Sequence, residues 1–456
     1  MDGKRELIVM FKIKLKFISL IICMLIIVSS VSACSSKGSN NSNAQKESKS
    51  VTQITVWYPW SGPDGNVIKQ WAEDFNKTHP NIEVNAQMVS GSGIGSSQGK
   101  FQTAVAGGNP PDAVLYWDYT SIPSLASQGL IEPLDNLLSD IKEDGSKFTE
   151  SSWNSVKFDG KIYGLPEMTS DLVFFWNKDM FKNVGLDPDK PPTTLQEVDD
   201  MAQKLTLKQN GKYVHFGFIP WIGQGTPLSW AGLFGVQDYV VNDKPNLEKN
   251  TGLEKILEWE ASYSKKYDPN QINNFFAALS QNNADQNDPF ILGKVAMKVD
   301  GMWEINNIKQ YAPNLNYGVA PIPTAPGGKE NSSVLLENVW MIPKGAKHAS
   351  EALQFIEWTY DVHRQADAGD QVFNISPVKE ATKLQKINND PKAKVCIDLM
   401  TSGHVSFLVQ SKATLATQNA LNNAFQAAQY LQKTPQEALK QAQSEAEQTL
   451  AQQGSK

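Results

Sequence analysis

The sequence predicts an α/β fold in which helices cover the faces of a parallel sheet. Strand-like and helix-like segments alternate along the chain from residue 51 onward. In the strand-like segments apolar residues alternate with polar ones, and in the helical segments they recur every three or four positions. Strands separated by helices are typical of βαβ units.

Three strands and two helices are predicted in the first part of the chain. The segment "QITVW" (53–57) alternates Ile54 and Val56 with polar neighbours, and apolar residues then recur at helical spacing over residues 67–75. A second strand is predicted at "NIEVNAQMV" (81–89), a short helix at "GKFQTAVAGG" (99–108), and a third strand at "DAVLYW" (112–117). This order is the βαβ arrangement.

The rest of the chain continues the mixed pattern. Strands are predicted at "DLVFFWN" (171–177), "KVAMKVDG" (294–301) and "SVLLENVWMIP" (333–343), and helices at residues 252–267 and 349–360. Residues 413–450 read as helix, with a break at Thr434. There "TPQE" provides an N-cap threonine, a proline at the first helical position and Glu437 as capping-box partner.

The N-terminus has the three parts of a secretory signal. A basic head (residues 4–16) precedes the apolar segment "FISLIICMLIIV" (17–28), and small residues follow, so we expect residues 1–33 to be a signal peptide. As a helix the apolar segment spans about 18 Å, less than the ~30 Å bilayer core. An uncleaved membrane anchor is the alternative if residues 29–33 also insert.

Cys34 ends the segment "VSAC" (31–34), which resembles a bacterial lipobox. That resemblance implies that Cys34 carries lipid and becomes the first residue of the mature protein. Two or more acyl chains anchor a protein stably to a membrane, whereas one binds only marginally. Residues 34–50 are polar and are expected to form a flexible tether. A free thiol in a spacer is the alternative.

The charge of the chain argues against a nucleic-acid partner. The net charge is −6, and cleavage before Cys34 would make it −9, because five basic and two acidic residues precede that point. Arg5 and Arg364 are the arginines of the chain. Since arginine is the favoured clamp for carboxylate and phosphate, a specifically anionic ligand is disfavoured, although lysine could substitute.

Motifs for metal binding and catalysis are missing from the sequence. The three cysteines form no CxxC or Cys/His spacing, and neither GxSxG nor HExxH occurs. We therefore expect no metal, no cofactor and no catalytic residue. A glycosidase stays open at this point, because its two carboxylates need not be close in the chain.

Aromatic clusters with carboxylates follow several predicted strands. In open α/β sheets ligands bind beyond the carboxyl ends of strands. A sugar presents apolar C–H faces and a belt of hydroxyls, so its site needs flat aromatic surfaces beside polar groups. Any one of these tryptophans could instead belong to the core. The candidate ligand-binding residues are Trp57, Tyr58, Trp60, Asp64, Tyr116, Trp117, Asp118, Trp221, Trp230, Asp300 and Trp303.

An ordered series of segments resembles the extracellular solute-binding proteins of sugar ABC transporters, the group that includes maltose-binding protein. It covers residues 51–450 and comprises "WAEDFNKTHPNIEV", "GGNPPDAVLYW", "GLIEPLDNLL", "FDGKIYGLPEMTSDLVFFWNKDMFKNVGLDP", "PPTTLQEV", "LGKVAMKVDGMW", "APIPTAPGG" and "MIPKGAKHASEALQFIEW".

This resemblance implies a two-lobed periplasmic-binding-protein-like fold with a hinge and an interlobe ligand cleft. The chain would visit lobe 1 over residues 51–168 and 324–373, and lobe 2 over residues 169–323 and 374–453. The implied crossovers lie near residues 166–170, 321–323 and 373–377, and each contains proline.

The resemblance also assigns roles to residues that match family positions. Tyr116, Trp117 and Asp118 match first-lobe ligand contacts, and Trp303 matches a stacking tryptophan, with Asp300 just before it. Glu167 and Asp171 lie in a crossover that lines the cleft. Glu337 and Asn338 replace the Gly-Gly-aromatic element of many relatives, and Trp340 is expected in the core.

The function implied is a monomeric, lipid-anchored protein on the outer face of the cell membrane, or on the periplasmic side in a Gram-negative cell. It would capture a sugar, expected to be an oligosaccharide, and deliver it to the permease of an ABC importer. The alternatives are a surface enzyme acting on polysaccharide, a binding protein for a non-sugar solute, and an adhesin module without a transporter.

Overall fold

The computed structural model describes residues 51–89, 98–279, 285–401 and 405–454. The predicted signal peptide, the tether and the lipidation site at Cys34 lie outside these described residues. Within the described ranges, no helix combines the length and the apolarity needed to cross a membrane.

The strands agree with the predicted strand positions and add several short pairs. In chain order they are β1 Thr52–Tyr58, β2 Ile82–Met88, β3 Ala113–Tyr116, β4 Lys157–Phe158, β5 Lys161–Ile162, β6 Leu165–Asn177, β7 Leu207–Gln209, β8 Lys212–His215, β9 Val240–Val241, β10 Lys244–Pro245, β11 Met297–Gly301, β12 Tyr317–Ala320, β13 Ser333–Met341 and β14 Val405–Ser406.

The helices include every helix that the sequence predicts. They are α1 Gly62–Thr78, α2 Gln98–Ala106, α3 Ile122–Ser127, α4 Asp135–Asp140, α5 Glu150–Ser155, α6 Lys178–Asn183, α7 Leu195–Leu205, α8 Pro227–Leu233, α9 Thr251–Tyr267, α10 Pro269–Ala277, α11 Glu304–Tyr311, α12 Ala349–Thr359, α13 Val362–Val372, α14 Lys379–Leu384, α15 Pro391–Thr401, α16 Thr414–Gln429 and α17 Pro435–Gly454.

The predicted capping box at the start of α17 is present. The Thr434 backbone N–H and hydroxyl both donate to Glu437 Oε2, at 3.0 and 2.9 Å, and the Glu437 N–H donates back to Thr434 Oγ1 at 3.3 Å. These reciprocal bonds satisfy N–H groups that a helix start leaves without partners.

The main sheet is mixed, whereas the sequence predicts a parallel one. Its order is β11-β6-β13-β3-β1-β2, with β12 on β6 and β14 on β13. β1 is parallel to β2 and β3, as the predicted βαβ arrangement requires. β13, however, runs antiparallel to both β3 and β6. A strand that is buried on both faces has the same continuous apolar pattern whether it pairs parallel or antiparallel. The sequence pattern therefore could not predict the direction of these strands.

The hydrophobic residues of the described chain form two main cores, which define two lobes. The first lobe packs β1, β2, β3, α1 and α12 around residues such as Trp71 and Phe355. The second lobe packs α7, α9, α16 and α17 around residues such as Leu257 and Phe425. A smaller cluster around Phe175 and Met302 extends the second lobe.

Two long strands pass from one lobe to the other and form the hinge. In β6, Met168 packs in the first core and Leu172 in the second. In β13, Val334 belongs to the second core, and Val339 packs with a cluster of first-lobe residues. The two strands pair antiparallel, with an irregularity between Glu337 and Val339.

The second crossover lies later in the chain than its prolines suggest. Ile322 and Ala325 still pack in the second core, so the second crossover falls within β13 rather than at residues 321–323. Phe373 already packs beside Phe175 in the smaller second-lobe cluster, Val378 and Ala381 pack in the first core, and Ile387 packs in the smaller cluster again, so the chain contacts both lobes between residues 373 and 387. A proline marks the end of an element, and the chain need not change lobes there.

Candidate functional site

A cavity of about 840 Å³ lies between the two lobes, with the hinge strands along one side. Its walls combine residues from the loop after β1, the turn after β3, the loop before α8, the start of α11 and the helix α16. This volume lies in the range of ~300–1,000 Å³ that is usual for small-molecule sites.

Three tryptophans line the cavity from opposite lobes. Trp60 follows β1 and Trp117 follows β3 in the first lobe, while Trp303 follows β11 in the second. Trp117 is 37% exposed, and the other two are half-buried. An exposed aromatic face at a concave surface favours a ligand with flat apolar faces.

Asp64 and Asp118 add acidic groups to the first-lobe wall. Asp118 also caps a 3₁₀ turn, because its Oδ1 accepts from the backbone N–H and the hydroxyl of Thr120, at 2.8 and 2.6 Å. Burial raises the pKa of Asp118. The carboxylate that faces the ligand space is therefore held in place by its own turn.

The hinge strands contribute Glu337 and Asn338 to the cavity. Asn338 Nδ2 donates to Glu167 Oε2 at 3.1 Å, and the Thr169 hydroxyl donates to Glu337 Oε1 at 3.1 Å. Burial raises the pKa values of both Glu167 and Glu337 to about 8. Two acids thus lie in the hinge next to neutral hydrogen-bond partners.

The second-lobe wall rests on a buried cluster around Lys298. Its Nζ lies 2.9 Å from a carboxylate oxygen of each of Asp288, Asp300 and Glu304, and its side chain is 0% exposed. Burial alone would lower the pKa of Lys298, but the three carboxylates raise it well above its ordinary value. The ammonium occupies the position from which a cation would bridge these oxygens.

This cluster connects directly to the cavity through α11. Asn307, which lines the cavity, donates from Nδ2 to Glu304 Oε2 at 3.1 Å, and Trp303 immediately precedes Glu304. The buried ion network therefore anchors the turn that carries Trp303.

No lysine, arginine or histidine is among the residues that line the cavity in the described part of the chain. The acidic side chains among the described lining residues are Asp64, Asp118 and Glu337. An anionic ligand would meet like charges without a compensating cation, and burying such a ligand is costly.

Residues 70–395 match the model of the family described as bacterial extracellular solute-binding protein. The chain belongs to this family. The resemblance found in the sequence to extracellular solute-binding proteins is thereby confirmed, and so is the two-lobed fold.

Curated relatives of this solute-binding protein include the sn-glycerol-3-phosphate-binding periplasmic protein UgpB of Escherichia coli strain K12. It is 25% identical over 405 residues, which cover 77% of this chain and 87% of UgpB. The UgpB of Pectobacterium atrosepticum is 25% identical over 356 residues, 72% of this chain and 74% of its own length.

Solved structures include a nearer relative. CpMnBP1 with mannobiose bound is 53% identical, has a TM-score of 0.83, and the match covers 87% of this chain and 99% of that one. The structure of CpMnBP1 with mannotriose bound has the same identity and TM-score. The maltose/maltodextrin-binding domain MalE of Bdellovibrio bacteriovorus is 21% identical, with a TM-score of 0.72 over 88% of this chain and 100% of that one, and shares the fold.

Seven of the sequence-predicted residues line the cavity of the solute-binding protein, and they come from both lobes and the hinge. They are Trp60, Asp64, Trp117, Asp118, Trp303, Glu337 and Asn338.

The other predicted residues lie in the cores or behind the walls. Tyr58, Tyr116 and Trp230 are almost completely buried, and Trp230 Nε1 donates to the Pro220 carbonyl at 3.1 Å. Trp57 and Trp221 are half-buried and pack against core clusters. Successive side chains of a strand point to opposite faces of the sheet. Consecutive aromatic residues therefore cannot all face the ligand.

Three predicted acids lie behind the cavity. Glu167 and Asp300 are buried among the partners described above. Asp171 is 0% exposed at the crossover in β6, and burial raises its pKa well above the ordinary value. None of the three is among the lining residues.

Sequence reasoning missed a set of uncharged polar residues on the second-lobe side of the cavity. Gln418 and Asn422 lie one turn apart on α16, which the sequence shows only as an ordinary amphipathic helix. Thr226 caps α8 within the Gly/Pro-rich loop from which two tryptophans were predicted instead. The missed polar lining residues on this side are Gln224, Thr226, Ser229, Asn307, Asn374, Gln418 and Asn422.

Proposed function

We propose that this protein binds a short mannose oligosaccharide between its lobes. The observation that carries the proposal is the 53% identity to CpMnBP1, whose structures contain mannobiose and mannotriose. The walls support it, since Trp60, Trp117 and Trp303 offer apolar faces for sugar rings. Amide and carboxyl groups between them can bind the hydroxyls.

A phosphate ester is the second candidate ligand, because UgpB relatives are named for sn-glycerol-3-phosphate. The cavity walls argue against it for this chain. Their charged groups are acidic, and none of the described lining residues is basic. A phosphate dianion would therefore lack the lysine or arginine that usually binds it.

The proposed ligand contacts are the seven predicted residues that line the cavity together with the polar residues that the sequence did not indicate. Asp300, Glu167 and Asp171 are proposed to support the walls rather than touch the sugar. The lobes would close on the ligand by bending at β6 and β13, and the closed form would deliver it to the permease of an ABC importer.

We propose binding without catalysis, in the manner of the solute-binding family. Incubation of the purified protein with mannobiose and mannotriose should leave both unchanged. Release of mannose would instead favour a polysaccharide-acting enzyme.

The lipid anchor is proposed on the "VSAC" sequence alone. Lipid on Cys34 would hold the extracellular binding body beside its membrane partner, with residues 35–50 as tether. Cells grown with labelled fatty acid should label the wild-type protein and not Cys34→Ala. Equal labelling of both would contradict the anchor.

A thermal-shift panel tests the ligand class. Ligand at about a hundredfold excess over Kd stabilises the folded state by about 2.7 kcal/mol. We expect a rise in Tm with mannobiose and mannotriose, and none with sn-glycerol 3-phosphate or a polyamine. A shift with the phosphate ester alone would overturn the sugar proposal, and a shift with the polyamine alone would point to a cationic ligand for the acidic walls.

A further inference from the structure

Gly301, the last residue of β11, lies directly against the indole ring of Trp303. A Cβ atom at position 301 would lie closer than 2.5 Å to each of Cε3, Cζ3 and Cη2 of that ring. Cβ atoms in proteins essentially never approach another heavy atom to less than 3.0 Å. The ring of Trp303 therefore occupies the volume that a side chain at position 301 would need.

The glycine contacts the face of the indole rather than its edge. Cε3, Cζ3 and Cη2 are consecutive carbons of the six-membered ring, and their distances from the added Cβ atom are nearly equal. An approach from the edge would leave the two outer carbons clearly farther away than the middle one. One face of the ring is thus covered by Gly301, so a ligand has to contact the opposite face or the free edge of Trp303.

The backbone conformation does not explain the glycine at position 301. Its φ angle lies outside the left-handed region, and the residue continues the regular antiparallel pairing with Leu172 of β6. Glycine weakens the interior of a strand, and where it occurs it often marks the close approach of another group. Here that group is the indole of Trp303.

The surface beneath the ring is held in place by the second lobe. Gly301 is buried, and its backbone N–H donates to Asp300 Oδ1 at 2.8 Å. Asp300 Oδ2 lies 2.9 Å from Lys298 Nζ in the buried ion cluster. Because these contacts fix the backbone at position 301, an added side chain would displace the ring rather than the strand.

A second glycine–tryptophan contact of the same kind lies away from the cavity. A Cβ atom at Gly318 of β12 would lie closer than 2.5 Å to Cζ2 and Cη2 of Trp176. Trp176 is 5% exposed, packs in the second core and is not among the described lining residues. Trp303 is half-buried and lines the cavity. The same steric relation therefore serves core packing at Gly318 and the shape of a cavity wall at Gly301.

We propose that Gly301 is a positioning residue of the ligand site, because its missing side chain leaves the space in which the Trp303 indole lies and so sets how far the ring projects into the cavity. This inference rests on the proposed function, since it treats the indole as a surface for a sugar ring. A methyl group at position 301 would lengthen separations now below 2.5 Å to more than 3.0 Å. Such a shift exceeds the ~0.5 Å within which a binding group has to be held.

Titration calorimetry of Gly301→Ala with mannobiose tests the proposal. The displaced ring should raise the Kd by about tenfold or more, as expected for the loss of an aromatic contact. Gly318→Ala is the matched control. It places the same methyl group against a core tryptophan, so it should lower the Tm and keep the wild-type Kd.

A double variant separates an effect through Trp303 from a general effect on the fold. Without the indole, the methyl group at position 301 has no ring to displace. Gly301→Ala/Trp303→Ala should therefore have the Kd of Trp303→Ala within about twofold. Its Tm should also match that of Trp303→Ala, which tests the contact even if Gly301→Ala alone does not fold. Circular dichroism establishes the folded state of each variant.

The outcomes separate this inference from the proposed function. Absence of mannobiose binding by the wild type overturns the proposed function and with it the role of Gly301 in affinity. Wild-type binding that is unchanged in a folded Gly301→Ala variant overturns the positioning role and leaves sugar binding in place.

Three further results would also overturn the positioning role. The first is an equal factor in Kd from Gly301→Ala with and without the Trp303 ring, and the second is a double variant that stays as unstable as Gly301→Ala. The third is an equal loss of affinity in Gly318→Ala, which would show that the Kd follows the stability of the fold.

Discussion

The hinge and the Trp303 turn (residues 300–307) both bury acids beside the ligand cavity, but they stabilise them in different ways. Around the turn, Lys298 lies 2.9 Å from oxygens of three carboxylates. In the hinge, Glu167, Asp171 and Glu337 have no ion pair within the described chain, and burial raises the pKa of each.

This difference separates two uses of a buried acid. Acids that surround a cation form a rigid network, and here that network fixes the backbone that carries Trp303 and Asn307. Acids without a cation become neutral and lose the charge that would repel a hydrogen-bond acceptor. The turn therefore supplies position, and the hinge keeps its acids uncharged.

Removing the ammonium group of Lys298 should have the largest effect of these substitutions, and it acts on the free energy of unfolding. Lys298→Met leaves the buried Asp300 and Glu304 and the half-buried Asp288 without their partner, and the free energy of unfolding should fall by about 3–5 kcal/mol. Denaturant titration measures it. The control Lys394→Met breaks the exposed pair with Asp398 and should cost less than about 1 kcal/mol. Equal losses in the two variants would show that the cluster around Lys298 does not stabilise the fold.

The hinge acids should make stability depend on pH. An unfolded glutamate has a pKa of about 4.3, and burial raises that of folded Glu167 to about 8. Between these values the folded state binds more protons, so the free energy of unfolding falls as pH rises, by up to ~1.4 kcal/mol per pH unit for one group.

Glu167→Gln should remove this contribution and give a shallower decline between about pH 5 and about pH 8. Urea titrations at several pH values measure the slope. Glu258→Gln, on the exposed side of α9, is the control and should keep the wild-type slope. An unchanged slope in Glu167→Gln would mean that this acid is not held neutral in the hinge.

Trp303 should contribute to affinity more than to stability. Its half-buried ring lines the cavity, so Trp303→Ala should weaken mannobiose binding by about tenfold or more. Trp221, also half-buried but not among the lining residues, is the control. Calorimetry should find Trp221→Ala close to wild type in Kd. The same Kd in Trp303→Ala and wild type would remove Trp303 from the site.

Replacing Asn307 should have the smallest effect of these substitutions, and it acts on the affinity for mannobiose. Its amide lines the cavity and donates to Glu304 in the Lys298 cluster, and a typical hydrogen bond contributes about 0.5–1.5 kcal/mol. Asn307→Ala should therefore raise the Kd for mannobiose by less than about tenfold. A loss as large as that of Trp303→Ala would mean that the turn itself has moved.

The sequence predicts the fold elements well and the cavity walls in part. Periodicity locates β1, α1 and the capping box of α17, because these signals are local. Strand direction in β6 and β13 and the exact crossovers depend on long-range pairing, which no local pattern contains. For the same reason Trp230 and Trp303 look alike in sequence, although one lies in the core and the other in the cavity.

The lining residues that the sequence did not indicate were missed for the same reason, because their place in the site depends on long-range packing. Gln418 and Asn422 are uncharged polar residues on an amphipathic helix, and only the packing of α16 against the first lobe makes them part of a ligand site. The raised pKa of Glu337 could not be predicted from the sequence either, because it depends on the burial of the carboxyl group in the folded protein.

Calorimetric titration of the wild-type protein with mannobiose and, separately, with sn-glycerol 3-phosphate tests the central claim most directly. Walls with three tryptophans and without a basic side chain among the described lining residues predict saturable binding of the sugar and no heat from the phosphate ester. Saturable binding of sn-glycerol 3-phosphate without binding of mannobiose would contradict the account.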